Sequence, residues 1–412
     1  MNFGVAFAPL VPGYVVWAAF GASVIISILL LLARSRGAPL RALALGLMVL
    51  AGQEEETVAL TNLRILTVTK GEIASGTIVL KGGTIAAIGA EAKPPPGARV
   101  VDGKGLVAFP GLVHPYSRLG LPDGSAGSAG GTQLAMAVDE INPSLDAYAL
   151  AARSGVTTFV LQPTGSGIGQ AAVVKPGGWS RDELVIEKSS VLRIVLPPGT
   201  PGKEALRQAL DGAKKAIEAE KKTPAAKPDE RTATVARFLK GELPAMVEVY
   251  GPADLLHFWQ VMEPYGEFRP RVVFVGPPDL YKAASELGMR KARVILRPTI
   301  ALAPFTRERI NSAAELARAG AQVALTPPSD SPDGLQATLF KVAELVKHGL
   351  PREEALRAVT IVPAEMAGIE KRVGSLEAGK DADLLLFTGD PLSPESRVHE
   401  IYINGKPVLH GQ

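Results

Sequence analysis

The chain has no cysteine, and only five of its 412 residues are histidine. The first absence excludes disulfides, thiolate zinc sites and cysteine nucleophiles, and leaves the compartment undecided. The second restricts any metal centre, because histidine is the commonest ligand for catalytic divalent metals. The five are His114, His257, His348, His399 and His410. Basic tracts are also missing. The net charge is only +3, and no Lys/Arg run of the kind that neutralises a phosphate backbone occurs, so no nucleic-acid partner is expected.

Apolar residues are plentiful. At 47% hydrophobic and 21% charged, a chain of this length can bury a large core in more than one structural unit. The first 33 residues carry no charged side chain. Val15 to Ala33 is long and apolar enough to cross a bilayer as a helix, and Arg34, Arg36 and Arg41 follow, a basic flank expected to stay cytoplasmic. A shorter apolar run, Ala42 to Ala51, resembles the h-region of an export signal, with Val49 and Ala51 placed like a cleavage site. Residues 1–52 are therefore expected to form a membrane hairpin or a cleaved leader. Either places the rest of the chain on the periplasmic or extracellular side, exported or membrane-anchored.

Beyond the leader, both ends read as strands. Asn62 to Thr69, Ile78 to Lys81 and Thr84 to Ile88 come first, with Gly82-Gly83 as a hairpin turn. Ala382 to Phe387, Val398 to Ile403 and Pro407 to His410 come last, with Asn404-Gly405 as a second hairpin signal. Between them, strand candidates at Val156 to Leu161, Leu192 to Leu196, Met246 to Tyr250, Val272 to Val275, Arg293 to Leu296 and Gln322 to Leu325 alternate with helical stretches. One such stretch is Arg307 to Ala319. This alternation predicts an α/β fold with a parallel sheet, of a length that suits a (β/α)8 barrel. Residues 222–231, rich in proline and charge, are expected in an exposed loop.

These segments carry a resemblance. LTNLRILTV, GTIVLKGGTIAAIG and VVDGKGLVAFPGLV near the start, with VGSLEAGKDADLLLF and EIYINGKPVLHG near the end, resemble the amidohydrolase superfamily. Asp139 to Pro143, Gly155 to Gly167 and Ala172 to Lys175 are similar to its exported imidazolonepropionase-like branch. The resemblance implies a distorted (β/α)8 TIM barrel (residues 111–370) beside a β-sandwich built from residues 53–110 and 371–412. It also implies one or two divalent metals, such as zinc, at the barrel mouth. A His-x-His pair ends the first strand, a lysine or glutamate bridges the metals, further histidines end strands five and six, and an aspartate ends strand eight. The metal lowers the pKa of a bound water and polarises the scissile carbonyl.

The chain departs from that pattern. Pro110-Gly111-Leu112-Val113-His114-Pro115-Tyr116-Ser117-Arg118 places Tyr116 and Arg118 where the two histidines belong, and His114 where an aspartate belongs. Strands five and six would end at Tyr250 and near Gly276. His257 and His348 fall on expected helices, His399 and His410 in the sandwich. A guanidinium is permanently charged and has no acceptor lone pair, so Arg118 cannot ligate a metal and would repel one. No metal cofactor is therefore expected.

Two family elements remain as candidates. Lys175 matches the family lysine, and Asp330 lies near the strand-eight aspartate. An ion pair between Arg118 and Asp330 across the mouth would replace the metal's charge. His114, Tyr116, Arg118, Tyr250 and Gly276 would line a vestigial pocket. Ser117 and His114 suggest a nucleophile and base, but residues three apart on a strand point to opposite faces. Gly165 to Gly169 and Gly199 to Glu204 fail the spacings of phosphate-binding loops. Asp139 and Glu140 read as loop residues before a helix.

The expected function is a catalytically silent barrel that binds a ligand, an active paralogous subunit, a second copy or an envelope partner. Two alternatives stand beside it. One is a C–N hydrolase with altered ligands, including Lys175 and Asp330. The other is metal-free chemistry with Tyr116, Tyr250 and Arg118 as acid and anion clamp.

Overall fold

The computed structural model describes residues 56–122, 134–165, 167–178, 180–196, 199–222, 228–266, 272–303 and 305–409. The expected membrane or signal segment, residues 1–52, lies outside them, as does His410. Thr57–Gln412 forms one compact unit.

The unit opens with β1 (Val58–Leu66), β2 (Glu72–Lys81), β3 (Thr84–Gly89), β4 (Arg99–Asp102) and β5 (Val107–Pro110). The middle contains β6 (Leu112–Ser117), β7 (Ala135–Met136), β8 (Val156–Leu161), β9 (Ile168–Val174), β10 (Val185–Val195), β11 (Ala245–Glu248), β12 (Val272–Val275) and β13 (Arg293–Leu296). A small hairpin, β14 (Ile300–Leu302) with β15 (Arg309–Asn311), precedes β16 (Gln322–Leu325). The chain closes with β17 (Leu384–Phe387), β18 (Val398–Ile403) and β19 (Lys406–Leu409).

The two ends share one sheet, as their turn signals and apolar runs imply. β5 pairs antiparallel with β17, Leu384 opposite Pro110 and Phe387 opposite Val107. The path runs β19-β18-β17-β5-β1-β2-β3, with β4 alongside β1. Leu60, Ile78, Ile85, Leu384, Leu386 and Tyr402 pack into its apolar cluster. Both predicted turns form. Asn404 and Gly405 take φ of 49° and 71°, the left-handed region that a two-residue hairpin demands and that Asn-Gly supplies at least cost.

The barrel sheet follows the order β16-β13-β12-β11-β10-β9-β8-β6. Its strands are parallel except for β9, which runs antiparallel to both β8 and β10, and the short β7, which pairs parallel with β9. The expectation of a parallel sheet is corrected there. Only Gln162–Gly167 separate β8 from β9, too few residues for a helical crossover, so the chain makes a hairpin and reverses. The helix expected over Arg307 to Ala319 also shortens to Ser312–Ala319. The side chain of Asn311 accepts from the Ala314 amide and starts the helix there, which frees Arg309–Asn311 to pair with Ile300–Leu302. Within the stretch expected to be a loop, Asp229 caps a further helix, Glu230–Lys240.

Alternation sorts the barrel strands. Leu192, Val247, Phe274, Leu296 and Leu325 face the surrounding helices, whereas Val113, Val160, Met246, Val273, Ile295 and Ala324 fill the interior. Helix Ile361–Ala367 packs Ile361, Val362, Ala364 and Met366 into that interior cluster. Each such aliphatic side chain contributes roughly 1.5–3 kcal/mol when fully buried. The barrel centre is a core, not a channel.

Candidate active site at the barrel mouth

One inward position above the interior apolar layer, the side chains turn polar. Gln162 lies two residues beyond Val160, Arg193 two beyond Val191, Glu248 two beyond Met246, and Arg297 two beyond Ile295. With Tyr116 they form the layer at the C-terminal ends of the parallel strands, the end at which barrels of this type place their chemistry.

Asp330 reaches this end from the loop after β16 and gathers β6. Its Oδ1 lies 2.9 Å from His114 Nε2 and accepts from Ser117 Oγ at 2.8 Å. Its Oδ2 accepts from the Arg118 backbone amide at 2.8 Å. The Tyr116 amide donates to His114 Nδ1 at 3.3 Å, which assigns the remaining ring proton to Nε2, facing the carboxylate. Burial pushes the Asp330 pKa up, but the contacts with His114, Arg118 and Ser117 outweigh it and hold the carboxyl below its ordinary range.

Two expectations change here. The expected Arg118–Asp330 ion pair is replaced: Arg118 offers its backbone amide while its side chain is exposed, and His114 is the side chain that pairs with the carboxylate. His114 and Ser117, expected on opposite faces, also meet at one oxygen. The β6–β8 register slips between His114 and Ser117, and such a slip breaks the two-residue alternation. They still make no catalytic triad. The carboxylate stands between hydroxyl and imidazole, and His114 Nδ1 is already taken.

Across the mouth, Tyr116 donates to Glu248 Oε2 at 2.5 Å. Arg193 donates from Nε to the Tyr116 hydroxyl at 3.2 Å, from NH1 to the Gly165 carbonyl at 2.8 Å, and from NH2 to Glu248 Oε2 at 3.2 Å. Burial pushes the Tyr116 pKa further above its ordinary value, and Glu248 adds to the shift. The phenol is thus a fixed donor, not an acid poised near neutrality. Sequence reading missed Arg193 and Glu248. The signal was available: both sit on inward positions of apolar strands, where a charged residue requires a partner.

Lys175 is elsewhere. Because β9 runs antiparallel, its last residues lie beside the start of β10, with Val174 opposite Val185, at the end of the barrel away from Asp330. Lys175 is only 1% exposed. Its Nζ lies 2.6 Å from Asp381 Oδ2, 2.7 Å from Asp383 Oδ2 and 2.6 Å from Asn404 Oδ1. Arg372 holds Asp381 from the other side at 2.8 Å. The candidate role of Lys175 as a bridging metal ligand is therefore corrected: it ties the barrel to the terminal strands.

The other pocket candidates divide. Tyr250 follows β11 but is 57% exposed, and its amide donates to Asp254. Gly276 is a packing position, where a Cβ would meet Leu280 at 2.7 Å and Val249 at 3.0 Å. Glu140 accepts the Thr164 amide and steadies the loop before Gly165. Among the described residues, no three His, Asp or Glu side chains converge as a metal site would require. The residues at the mouth do not fit the family's metal. Each carboxylate there is engaged by a neighbouring donor, and a guanidinium lies between the strand ends.

A family model described as "Amidohydrolase family" matches residues 304–408. An imidazolonepropionase from Geobacillus sp. (strain WCH70) is 33% identical over 149 residues, 34% of each chain. An amidohydrolase from Thermotoga maritima MSB8 superposes with a TM-score of 0.73 at 23% identity, covering 86% of this chain and all of that one. The chain is similar to amidohydrolases over these stretches and shares their fold. It is similar to the imidazolonepropionase-like members. A further relative, amidohydrolase tasK of Hapsidospora irregularis, is 36% identical over 84 residues, 20% of this chain. The chain thus spans about a third and about a tenth of the lengths of these two curated relatives.

Proposed function

We propose that this amidohydrolase-like barrel is a metal-free pseudo-hydrolase whose mouth binds a ligand. The observation that carries the reading is the position of Arg193. Its guanidinium contacts β6 through Tyr116, β11 through Glu248 and the loop after β8 through Gly165. It does with a fixed organic cation what a metal does with a bound one: it ties strand ends together and neutralises the carboxylate between them. A divalent ion placed beside it would meet a permanent positive charge.

The reading includes a place in the cell. Residues 1–52 hold the chain at the cell envelope with the barrel outside, a proposal carried by the charge-free run and the arginines that follow it. A second copy or an active paralogous subunit is the partner proposed there.

Metal content tests the central claim. The full chain, purified in detergent, would be incubated with zinc and manganese, desalted and counted by mass spectrometry. Less than a tenth of an equivalent of metal per chain is expected. One equivalent, retained after desalting, would sink the reading.

A further inference from the structure

The chain has five asparagines, Asn2, Asn62, Asn142, Asn311 and Asn404, and of these only Asn404 precedes a glycine. An Asn-Gly pair can react with itself, because glycine has no side chain to hinder its own nitrogen. The Gly405 nitrogen, giving its proton to hydroxide, attacks Asn404 Cγ. The new N–C bond closes a cyclic imide, the Cγ–Nδ2 bond breaks and ammonia leaves. Water then opens the imide at either carbonyl and leaves aspartate or isoaspartate.

Both reacting ends are held apart in the folded chain. The Gly405 amide, the nucleophile, donates to the Ala382 carbonyl at 2.9 Å. The Asn404 side chain, the electrophile, is held through Oδ1 by Lys175 Nζ at 2.6 Å. Lysine can only donate, so the oxygen of the amide faces it. The Asn404 backbone amide donates to Asp383 Oδ1 at 2.8 Å. The turn is also wedged: a Cβ on Gly405 would lie 3.5 Å from Ala382 Cβ and 3.6 Å from Gly83 Cα, and the Gly83 carbonyl accepts the Ala382 amide. The second glycine turn thus backs the first. Ring closure requires the Gly405 nitrogen to leave Ala382 and the carboxamide to leave Lys175.

We propose that Asn404-Gly405 is a deamidation site that the fold keeps closed, and that its conversion loosens the terminal sheet from the barrel. Aspartate at position 404 puts a third carboxylate beside Lys175, which Asp381 and Asp383 already engage. The lysine is 1% exposed, so the added charge is neither compensated nor solvated. Isoaspartate lengthens the main chain inside the hairpin and breaks the pairing of Ile403 with Lys406.

Peptide mapping by mass spectrometry tests the first half. The full chain in detergent would be held at mildly alkaline pH, folded or unfolded in guanidinium chloride, at one temperature. One neutral hydrogen bond and one to an ammonium must open, so conversion at Asn404 should be roughly a hundredfold slower in the folded chain. Equal rates in the two states overturn the closure. Asn404→Asp and Asn404→Gly test the second half. Both tolerate the left-handed backbone and both lose the neutral amide, but only the aspartate adds charge. Asn404→Asp should unfold at a lower temperature than Asn404→Gly. Equal midpoints overturn the loosening.

Discussion

Lys175 Nζ lies 2.7 Å from Asp383 Oδ2 in a spot that solvent does not reach. Asp383 also accepts the Asn404 amide through Oδ1, and its carbonyl accepts the Gly111 amide at the start of the first barrel strand. One buried ion pair thus joins three sequence motifs: the lysine after β9, the Lys-Asp-Ala-Asp run before β17 and the Asn-Gly hairpin.

Removing one member of such a pair leaves the other buried and uncompensated. Lys175→Met should cost about 3–5 kcal/mol of stability. Denaturant unfolding monitored by circular dichroism would measure it. A loss below about 1 kcal/mol, typical of an exposed pair, would mean water reaches the site.

Gly111 permits the close approach of β6 and β8. A Cβ there would collide with the Thr157 side chain, which is itself fully buried. Gly111→Ala should destabilise by roughly 1–3 kcal/mol, the usual cost of overpacking a core. A thermal midpoint equal to wild type would show that Thr157 can move aside.

Restoring the first-strand histidines tests what excludes the metal. The double variant Tyr116→His/Arg118→His recreates the family's His-x-His spacing but leaves Arg193 and its charge in place. It should still hold less than one equivalent of zinc after desalting. The triple variant that adds Arg193→Met should bind more. Full occupancy in the double variant would show that the two strand-one substitutions alone removed the metal.

Acid stability carries a sign. The Asp330 carboxyl is held below its ordinary range by His114, Arg118 and Ser117 against the upward push of burial. Glu377 is held down to about 2, its contacts with Ser375, Lys70, Thr69 and Lys380 overcoming the same push. Folded carboxyls with depressed pKa values contribute stability that is present above the unfolded value and lost as pH falls through the folded one. Stability should therefore fall between about pH 4.5 and pH 2, and Asp330→Asn should flatten part of that slope. Unfolding midpoints across this range would reveal an unchanged slope if Asp330 contributes nothing.

Much of the fold was legible in the sequence because it depends on local periodicity. The apolar runs Val156–Leu161, Val272–Val275, Arg293–Leu296 and Gln322–Leu325 became strands with those bounds. Both Gly-rich turns closed hairpins between β2 and β3 and between β18 and β19. The strand-one departure was equally visible, since residue type alone shows that Tyr116 and Arg118 cannot act as the family's paired imidazoles.

Other features depended on which strands lie side by side, and a one-dimensional pattern does not carry that. The reversal of β9 moved Lys175 to the far end of the barrel, although its sequence neighbourhood matches the family. The slipped register of β6 brought His114 and Ser117 to one carboxylate against their spacing. Arg193 and Glu248 are 55 residues apart and become partners only because β10 and β11 are neighbours in the sheet. The sequence by itself determined the elements, their turns and the loss of the histidines, because these follow from local backbone preference and side-chain chemistry. Tertiary structure alone decided which charges pair, because Coulomb and hydrogen-bond energies act across a few ångströms of space whatever the separation along the chain.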